Sequence, residues 1–495
     1  MRVVLLSISA LSLSLPARTR AETPAPETKE PAPETKEEAA GWDVSLSGYF
    51  RAPMMLGLSR RADPGDSSGA RHWQVTHAPN RLLDANYSSF AYTRLEEGDW
   101  AELYVTAKRP HVAATVGLMG SWYTWAGYEN SNAGWLPAQA WVELDSEVSV
   151  GALRPHLTLQ GGVFWQRWGM FEKYDTYMFG RFHQAGAAVE AELPLGQLEA
   201  RLVEGFGTNR NGAPDAGTGL TLLHYTHLGL RYGKVLDAGV YYNTSWTRDP
   251  SLFIGSGTAP EQTPVPPGPN GEPGGGSYAQ ARDARVDVYG ADLHLRVPHV
   301  GHAWLAASHI ALDNGWALPA IVEVVHSPGG FGLAENYLGY GSPGSTGSGS
   351  LLNLALLYEN SLQGLAGAPE GRWPDLALSV FGMLVNARRE LSPGSTLPRD
   401  QDQLKWGSDL TLKLYPWVAF MLRYDLVDLD TDAPGHAFRI VTPRVTFTSH
   451  ILSTESIWLQ YSRYFYDDVS LETRPTQPYA RPDQHVIKLQ ANLSF

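Results

Sequence analysis

From residue 42 to residue 495 the sequence alternates apolar and polar residues at period two almost without a break. A strand turns successive side chains to opposite faces, so each such segment has one greasy side and one wet side. The segments fall at 42–51, 99–108, 111–119, 138–147, 153–165, 182–193, 197–206, 219–231, 234–246, 283–297, 301–312, 351–360, 375–387, 404–414, 417–428, 437–448, 455–466 and 484–495. That is about 18 strands, with 16 as the other even count that uncertain boundaries allow.

The connections carry as much information as the strands. Counted from Trp42, the odd ones are long, such as 52–98, 120–137, 166–181, 247–282 and 313–350. The even ones are mostly two or three residues, such as Arg109-Pro110, Tyr232-Gly233 and Tyr415-Pro416. Strict alternation of long and short connections is the habit of an up-and-down barrel crossing an outer membrane, with short periplasmic turns and long outer loops. The expected fold class is therefore all-β, a closed antiparallel transmembrane β-barrel. An edge strand of a soluble β-sandwich alternates in the same way, so one segment alone leaves both readings open. The even connection 361–374 is longer than the rule predicts, and the sequence offers no account of it.

The strand faces agree with a barrel. In 417–426, Val418, Phe420, Leu422, Tyr424 and Leu426 share one face, while Arg423 and Asp425 share the other. In 404–414, Lys405, Asp409, Thr411 and Lys413 oppose a face of leucines and Trp406. In 138–145, Gln139, Trp141, Glu143 and Asp145 oppose Ala138, Ala140, Val142 and Leu144. Unpaired charge is too costly to bury in a dry core. Ionic inward faces on many strands predict a water-filled lumen. The last segment puts Ile487, Leu489, Ala491, Leu493 and Phe495 on one face and Val486, Lys488, Gln490, Asn492 and Ser494 on the other. It is long enough, when tilted, to span a hydrocarbon core. A terminal strand ending on Phe resembles the outer-membrane β-barrel proteins, in which this end is read by the insertion machinery.

Composition narrows the choices. Hydrophobic residues are 43% of the chain, and no apolar run of helix-spanning length follows the N-terminus. The mean hydropathy of -0.24 excludes a helical membrane protein. A barrel escapes hydropathy scans because only alternate residues meet lipid. Cysteine is absent, which removes disulfides, thiolate metal sites and a cysteine nucleophile. A net charge of -13 argues against a nucleic-acid partner.

Residues 1–21, with Arg2 ahead of the apolar stretch Val3 to Leu15, read as a secretory signal peptide. Residues 22–41 contain PAPETKE twice and read as an extended periplasmic spacer, because Pro, Glu, Thr and Lys cannot bury apolar area. Residues 42–495 are then the barrel, in the outer membrane of a Gram-negative envelope.

Two stretches resemble the maltoporin family of sugar-selective porins. The first is SGYFR at 47–51, similar to that family's opening Gly-Tyr-x-Arg. The resemblance implies that Tyr49 belongs to an aromatic ladder along the pore and that Arg51 faces solute. The second is EKYDTYMF at 172–179, in the third outer loop, where the family carries the segment that folds inward and narrows the channel. It nominates Lys173, Asp175 and Tyr177. The family's following Asp is replaced here by Gly180, which implies a wider or less acidic constriction. The resemblance also implies a homotrimer.

A sugar ring offers an apolar face for stacking and a rim of hydroxyls for polar side chains. Trp141 and Glu143, on the inward face of the fourth strand, suit that chemistry. Trp165, Arg167 and Trp168 crowd the approach to the third loop, and Trp122, Tyr123, Trp125 and Tyr128 crowd the second. These clusters have two readings, a sugar track or an interfacial aromatic girdle.

Catalysis finds no support. His224 and His227 are three apart on one strand and so fall on opposite faces. No nucleophile elbow, zincin helix or phosphate loop is present. Asp428, Asp430 and Asp432 repeat at every second position, but Ala433 stands where a calcium loop needs Gly, so a solvated acidic loop is expected rather than a metal site. The sequence thus predicts a non-enzymatic, cofactor-free porin, in contact with outer-membrane lipid, that passes small hydrophilic solutes, saccharides above all. The alternatives are a general or anion-selective porin without a sugar site, a barrel lipase or protease, and an adhesion barrel.

Overall fold

The computed structural model describes residues 41–57, 100–121, 134–151, 153–167, 181–208, 220–248, 253–254, 278–279, 284–313, 345–368, 373–391, 393–428, 430–432, 437–451, 454–466 and 484–495. The strands are β1 (Asp43–Gly57), β2 (Trp100–Arg109), β3 (Val112–Ser121), β4 (Gly134–Glu147), β5 (His156–Arg167), β6 (Arg181–Leu195), β7 (Leu198–Thr208), β8 (Leu220–Tyr232) and β9 (Leu236–Arg248). They continue with the two-residue pieces β10 (Phe253–Ile254) and β11 (Tyr278–Ala279), which pair only with each other. Then come β12 (Ala284–Val297), β13 (Gly301–Asp313), β14 (Ser345–Ser361), β15 (Asp375–Leu391), β16 (Asp400–Tyr415), β17 (Val418–Asp428), β18 (Ala437–Ser449), β19 (Thr454–Tyr466) and β20 (Gln484–Ser494).

All strands but β10 and β11 form one 18-stranded sheet. Each is antiparallel to its neighbours in chain order, β9 pairs with β12, and β1 closes the ring on β20. Every strand expected from periodicity is present, and the count is 18 rather than 16. Among the described residues no helix is long and apolar enough to cross a membrane.

The closing ladder runs from Tyr49 opposite Ser494 to Gly57 opposite Val486, and the last residue extends it by one pair. Gly48 donates to the Phe495 carbonyl at 2.8 Å, and Phe495 donates back to the Gly48 carbonyl at 3.1 Å. The Phe495 ring lies over Gly48, where a Cβ would sit 2.8 Å from it. The same fit recurs inside the barrel. Tyr104 faces Gly117, Tyr225 faces Gly205, Tyr241 faces Gly290 and Phe381 faces Gly407, each pair directly opposed across two strands. A Cβ on Gly117 would lie 2.6 Å from the Tyr104 ring, so the ring lies flat only because the position has no side chain. Such aromatic cover compensates for the packing a strand glycine lacks.

The outward faces are apolar. Leu422, Val240, Ile457 and Leu459 each leave about half of their surface open. Tyr415, Trp417 and Phe447 stack beside one another near the periplasmic turns, as an interfacial girdle does. The inward faces of β16 to β20 carry Lys405, Thr411, Arg423, Gln460 and Lys488. The alternation read from 404–414, 417–426, 139–145 and the terminal strand holds, although Val418, read as outward, is buried, and the Ala138 side chain lies outside the described residues.

The inner wall differs from expectation in one respect. Many inward charges are closed to solvent, with Lys488 at 0% and Lys405 at 1% exposure. Towards the outer ends of the strands the inward face also turns apolar, with Phe164, Leu223, Ile310, Leu351, Phe438 and Tyr464 buried in one cluster. Inward residues with open surface are found nearer the periplasmic turns, among them Glu143, Glu192, Arg201 and Arg231. The lumen is therefore not evenly wet along its height. Period-two alternation distinguishes two faces, but it does not say how much water reaches the inner one.

The long connection 361–374 has a physical account. Helix α1 (Leu362–Leu365) is capped by Ser361, whose Oγ accepts from Gly364 N at 3.0 Å. Gln363 N donates to Asp375 Oδ1 at 3.1 Å. Tyr358 Oη and Asn360 Nδ2 both donate to the Val300 carbonyl, which ties this end of β14 to the turn between β12 and β13.

Gly205→Val should push the Tyr225 ring off its bonds from Gln184 at 2.8 Å and Gln166 at 3.3 Å. The expected loss is about 1–3 kcal/mol for overpacking. It would be read as unfolding at lower urea and at a lower temperature in a gel-shift assay of the folded barrel.

Candidate functional site

The inward faces of β1, β2 and β4 bring together aromatic and hydrogen-bonding side chains. Tyr49 and Arg51 stand two apart on β1, both buried against the interior. Tyr49 is opposite Glu102 of β2 in register. Tyr104 Oη donates to Glu102 Oε2 at 2.9 Å, and Gln139 Nε2 donates to Tyr104 Oη at 3.0 Å. The Tyr104 ring meets Trp141 edge-on at 6.3 Å. Glu143 follows Trp141 on the same face and lies opposite Gln160 of β5. Residues almost a hundred positions apart in sequence thus share one patch of wall, because neighbouring strands register side by side.

Of the residues nominated from sequence, Tyr49, Arg51, Trp141 and Glu143 lie on this wall. Trp165 alternates with buried Phe164 and shares the outward face of Leu159 and Val163, while its backbone N–H donates to Gln139 Oε1 at 3.4 Å. Arg167 ends β5 opposite Arg181, and its side chain lies outside the described residues. Lys173, Asp175 and Tyr177, and with them the inward fold of loop 166–181, also lie outside the described residues. Glu102, Tyr104 and Gln139 were not nominated. Glu102 and Tyr104 sit two apart in a segment already read as a strand, which was signal enough to place both on one face.

Charge is unevenly distributed around the wall. Inward from β15, β16, β18, β20 and β1 point Arg389, Lys405, Lys413, Arg444, Lys488 and Arg51. Arg444 lies 4.1 Å over the Trp458 ring and Lys488 Nζ lies 5.1 Å from it, so one indole carries two cations. On β17, Arg423 grips Asp425 with two bonds, Nε to Oδ2 at 2.8 Å and Nη2 to Oδ1 at 2.7 Å. Across the ring, β4, β6, β7, β9 and β12 carry Glu143, Glu190, Glu199, Asp237 and Asp292. Arginines there are bound to carboxylates: Arg201 to Glu190 at 2.5 Å, Arg231 to Asp237 at 2.9 Å and Arg296 to Asp237 at 2.5 Å.

His224 and His227 do face opposite ways, His227 buried inward and His224 outward beside Glu204. Among the described residues no three His, Asp or Glu side chains are grouped to hold a metal. Asp428 and Asp430 each accept from the backbone N–H two residues on, at 3.2 Å, as turn-forming aspartates do.

No family model matches the chain. No curated protein matches it either. Solved structures with a similar strand arrangement include OccAB1 of Acinetobacter baumannii, at 9% identity over 91% of this chain and 97% of that one, with a TM-score of 0.43. OmpT, an outer membrane protein of Vibrio cholerae, aligns at 9% identity over 91% and 98%, with a TM-score of 0.39. The outer membrane channel DcaP of Acinetobacter baumannii aligns at 8% identity over 92% and 98%, with a TM-score of 0.37. Likeness this distant adds nothing to what the chain's own hydrogen bonds define. A closed ring of 18 antiparallel strands, apolar outside and charged within, is an outer-membrane β-barrel. The maltoporin resemblance rests on its two short motifs.

Arg423→Met would leave Asp425, at 1% exposure, without its bidentate partner. Breaking a buried pair from one side costs about 3–5 kcal/mol. The loss should be visible in urea unfolding, and Arg423→Met with Asp425→Leu should recover most of it.

Proposed function

We propose that this barrel is a porin passing small hydrophilic solutes, saccharides among them, by diffusion through its lumen. The observation that carries the reading is the inner wall of β1, β2 and β4. Trp141 and Glu143 keep open surface there, and Tyr49, Tyr104, Arg51, Glu102 and Gln139 are packed beside them as the buried, hydrogen-bonded backing of that wall. Aromatic faces stack on a sugar ring while the polar groups bond its hydroxyl rim. A solute contact of this kind is favourable enough to enter and weak enough to leave. Loop 166–181, through Lys173, Asp175 and Tyr177, is part of the proposal as the constriction. Inward charges of both signs favour neither anions nor cations as the principal cargo, and no enzymatic step is part of this function.

The proposal includes a homotrimer. Its support is an outward polar row on β7, β8, β9 and β12, set among outward apolar residues such as Leu202, Leu228 and Val240. Glu204 pairs with His224 and accepts from Thr226 Oγ1 at 2.6 Å. Tyr242 Oη donates to Asp287 Oδ1 at 3.0 Å. Leu202 and Phe206 flank Glu204 on the same face. Ionisable groups at such a depth usually meet protein rather than acyl chains.

Planar-bilayer conductance with maltooligosaccharide titration tests the solute reading. Added sugar should block the current, and Trp141→Ala should weaken that block about ten-fold, the equivalent of about 1.4 kcal/mol. A current that sugar leaves untouched removes the saccharide class. For the trimer, Glu204→Leu with His224→Leu should shift crosslinked or native-mass species from trimer to monomer without loss of the folded barrel.

A further inference from the structure

We infer that the outward face of β16 to β20 holds a binding site for a phosphate-bearing lipid of the outer leaflet, with its acyl chains in an apolar groove and its phosphate at Arg439 and Arg463. The site depends on the barrel and its orientation, and it is independent of what the lumen passes.

The groove, of about 530 Å³, lies on the outer side of the wall. Leu410 and Leu412 of β16, Phe420 and Leu422 of β17, Val445 of β18 and Leu459 of β19 line it. Pro443 lines it too, at a lapse in the β18–β19 ladder. The register there runs from Val441 opposite Arg463 to Arg444 opposite Gln460 and skips Thr442 and Pro443. Proline cannot donate to a ladder. On the inner side Thr442 Oγ1 donates to Ser462 Oγ at 3.1 Å instead.

Towards the outer ends of the same strands the outward face becomes cationic. Arg439 is exposed and stands opposite Phe465 in register, and Arg463 Cζ lies 4.4 Å over the same ring. His485 is opposite Arg463, and its Nδ1 is hydrogen-bonded to Tyr461 Oη at 2.6 Å, at the outer edge of the groove. Among the described residues the outer halves of β18, β19 and β20 turn no carboxylate outward. On β17 the outward acid is Asp428, opposite Ala437, and it accepts from the Asp430 N–H at 3.2 Å. On β16 it is Asp402, which accepts from Asn386 Nδ2 at 2.5 Å.

The depth fits one leaflet. Arg439 and Val445 are six residues apart on β18. That is about 20 Å along a strand, and a tilt of about 40° turns it into about 15 Å of depth. One leaflet is half of a hydrocarbon core of about 30 Å. A lipid with its phosphate at the arginines therefore lays its chains in the groove. Arginine forks match phosphate oxygens with two parallel bonds, and basic side chains at a lipid surface select anionic head groups.

The test uses the full chain, purified in detergent and checked for folding by its gel shift. It is mixed with lipid A carrying both phosphates, or with lipid A from which they have been removed, and native mass spectrometry measures the lipid retained. Retention of the phosphorylated form should exceed that of the dephosphorylated form about ten-fold. Arg439→Gln with Arg463→Gln should bring the ratio near one, and Arg463→Gln alone should lower it, which keeps the test decisive if the pair fails to fold. Val445→Trp fills the groove and keeps both arginines, so it should lower retention of both lipids. Equal retention of the two forms by the unaltered protein overturns the site, as does a ratio that the arginine variants leave unchanged. Val445→Trp without effect overturns the groove, and displacement of the lipid by an equal concentration of inorganic phosphate overturns a lipid as the source of the anion.

Discussion

A β-strand in lipid has no water to satisfy its edge, so every strand in the membrane must have two neighbours. The rest of this structure depends on that constraint. It is met where β1 and β20 join, from Tyr49 opposite Ser494 to Gly57 opposite Val486, and the final residue adds the last pair. Phe495 exchanges both backbone hydrogen bonds with Gly48 and lays its ring over the space that Gly48 leaves. A side chain at residue 48 and the ring of residue 495 could not occupy that space together. The same economy, an aromatic opposite a glycine, stiffens the wall at Tyr104, Tyr225, Tyr241 and Phe381.

Once the ring is closed, alternation along each strand becomes a partition of the whole molecule. Leu422 meets lipid because Arg423 meets the interior, and neither placement is possible without the other. The inward charges are then held by one another and by aromatic faces, as Arg423 is by Asp425 and Arg444 by Trp458. Charged groups that are paired and hydrogen-bonded can lie away from water, which is how Lys405 and Lys488 coexist with an apolar cluster in the same interior.

The strands and their faces were legible because both depend on near neighbours. Residues two apart share a face whatever the tertiary structure, so Tyr49 and Arg51, or Trp141 and Glu143, could be paired from sequence. Glu102, Tyr104 and Gln139 were harder. Their hydrogen bonds cross strands, and register is set by turns and packing rather than by any local pattern. Trp165 had two readings from sequence, a sugar track or an interfacial girdle, and its parity with Leu159 and Val163 puts it on the outward face of β5.

The sequence by itself determined that this chain crosses a membrane as a barrel of about 18 strands, and which side chains along a strand share a face. Those properties follow from period-two alternation and from the lengths of the connections, both of which are local. Only the tertiary structure decided which residues meet across the wall and how far water reaches within it. Residues such as Tyr104 and Gln139 become partners only when the strands register, and no pattern of spacing along the chain encodes a register.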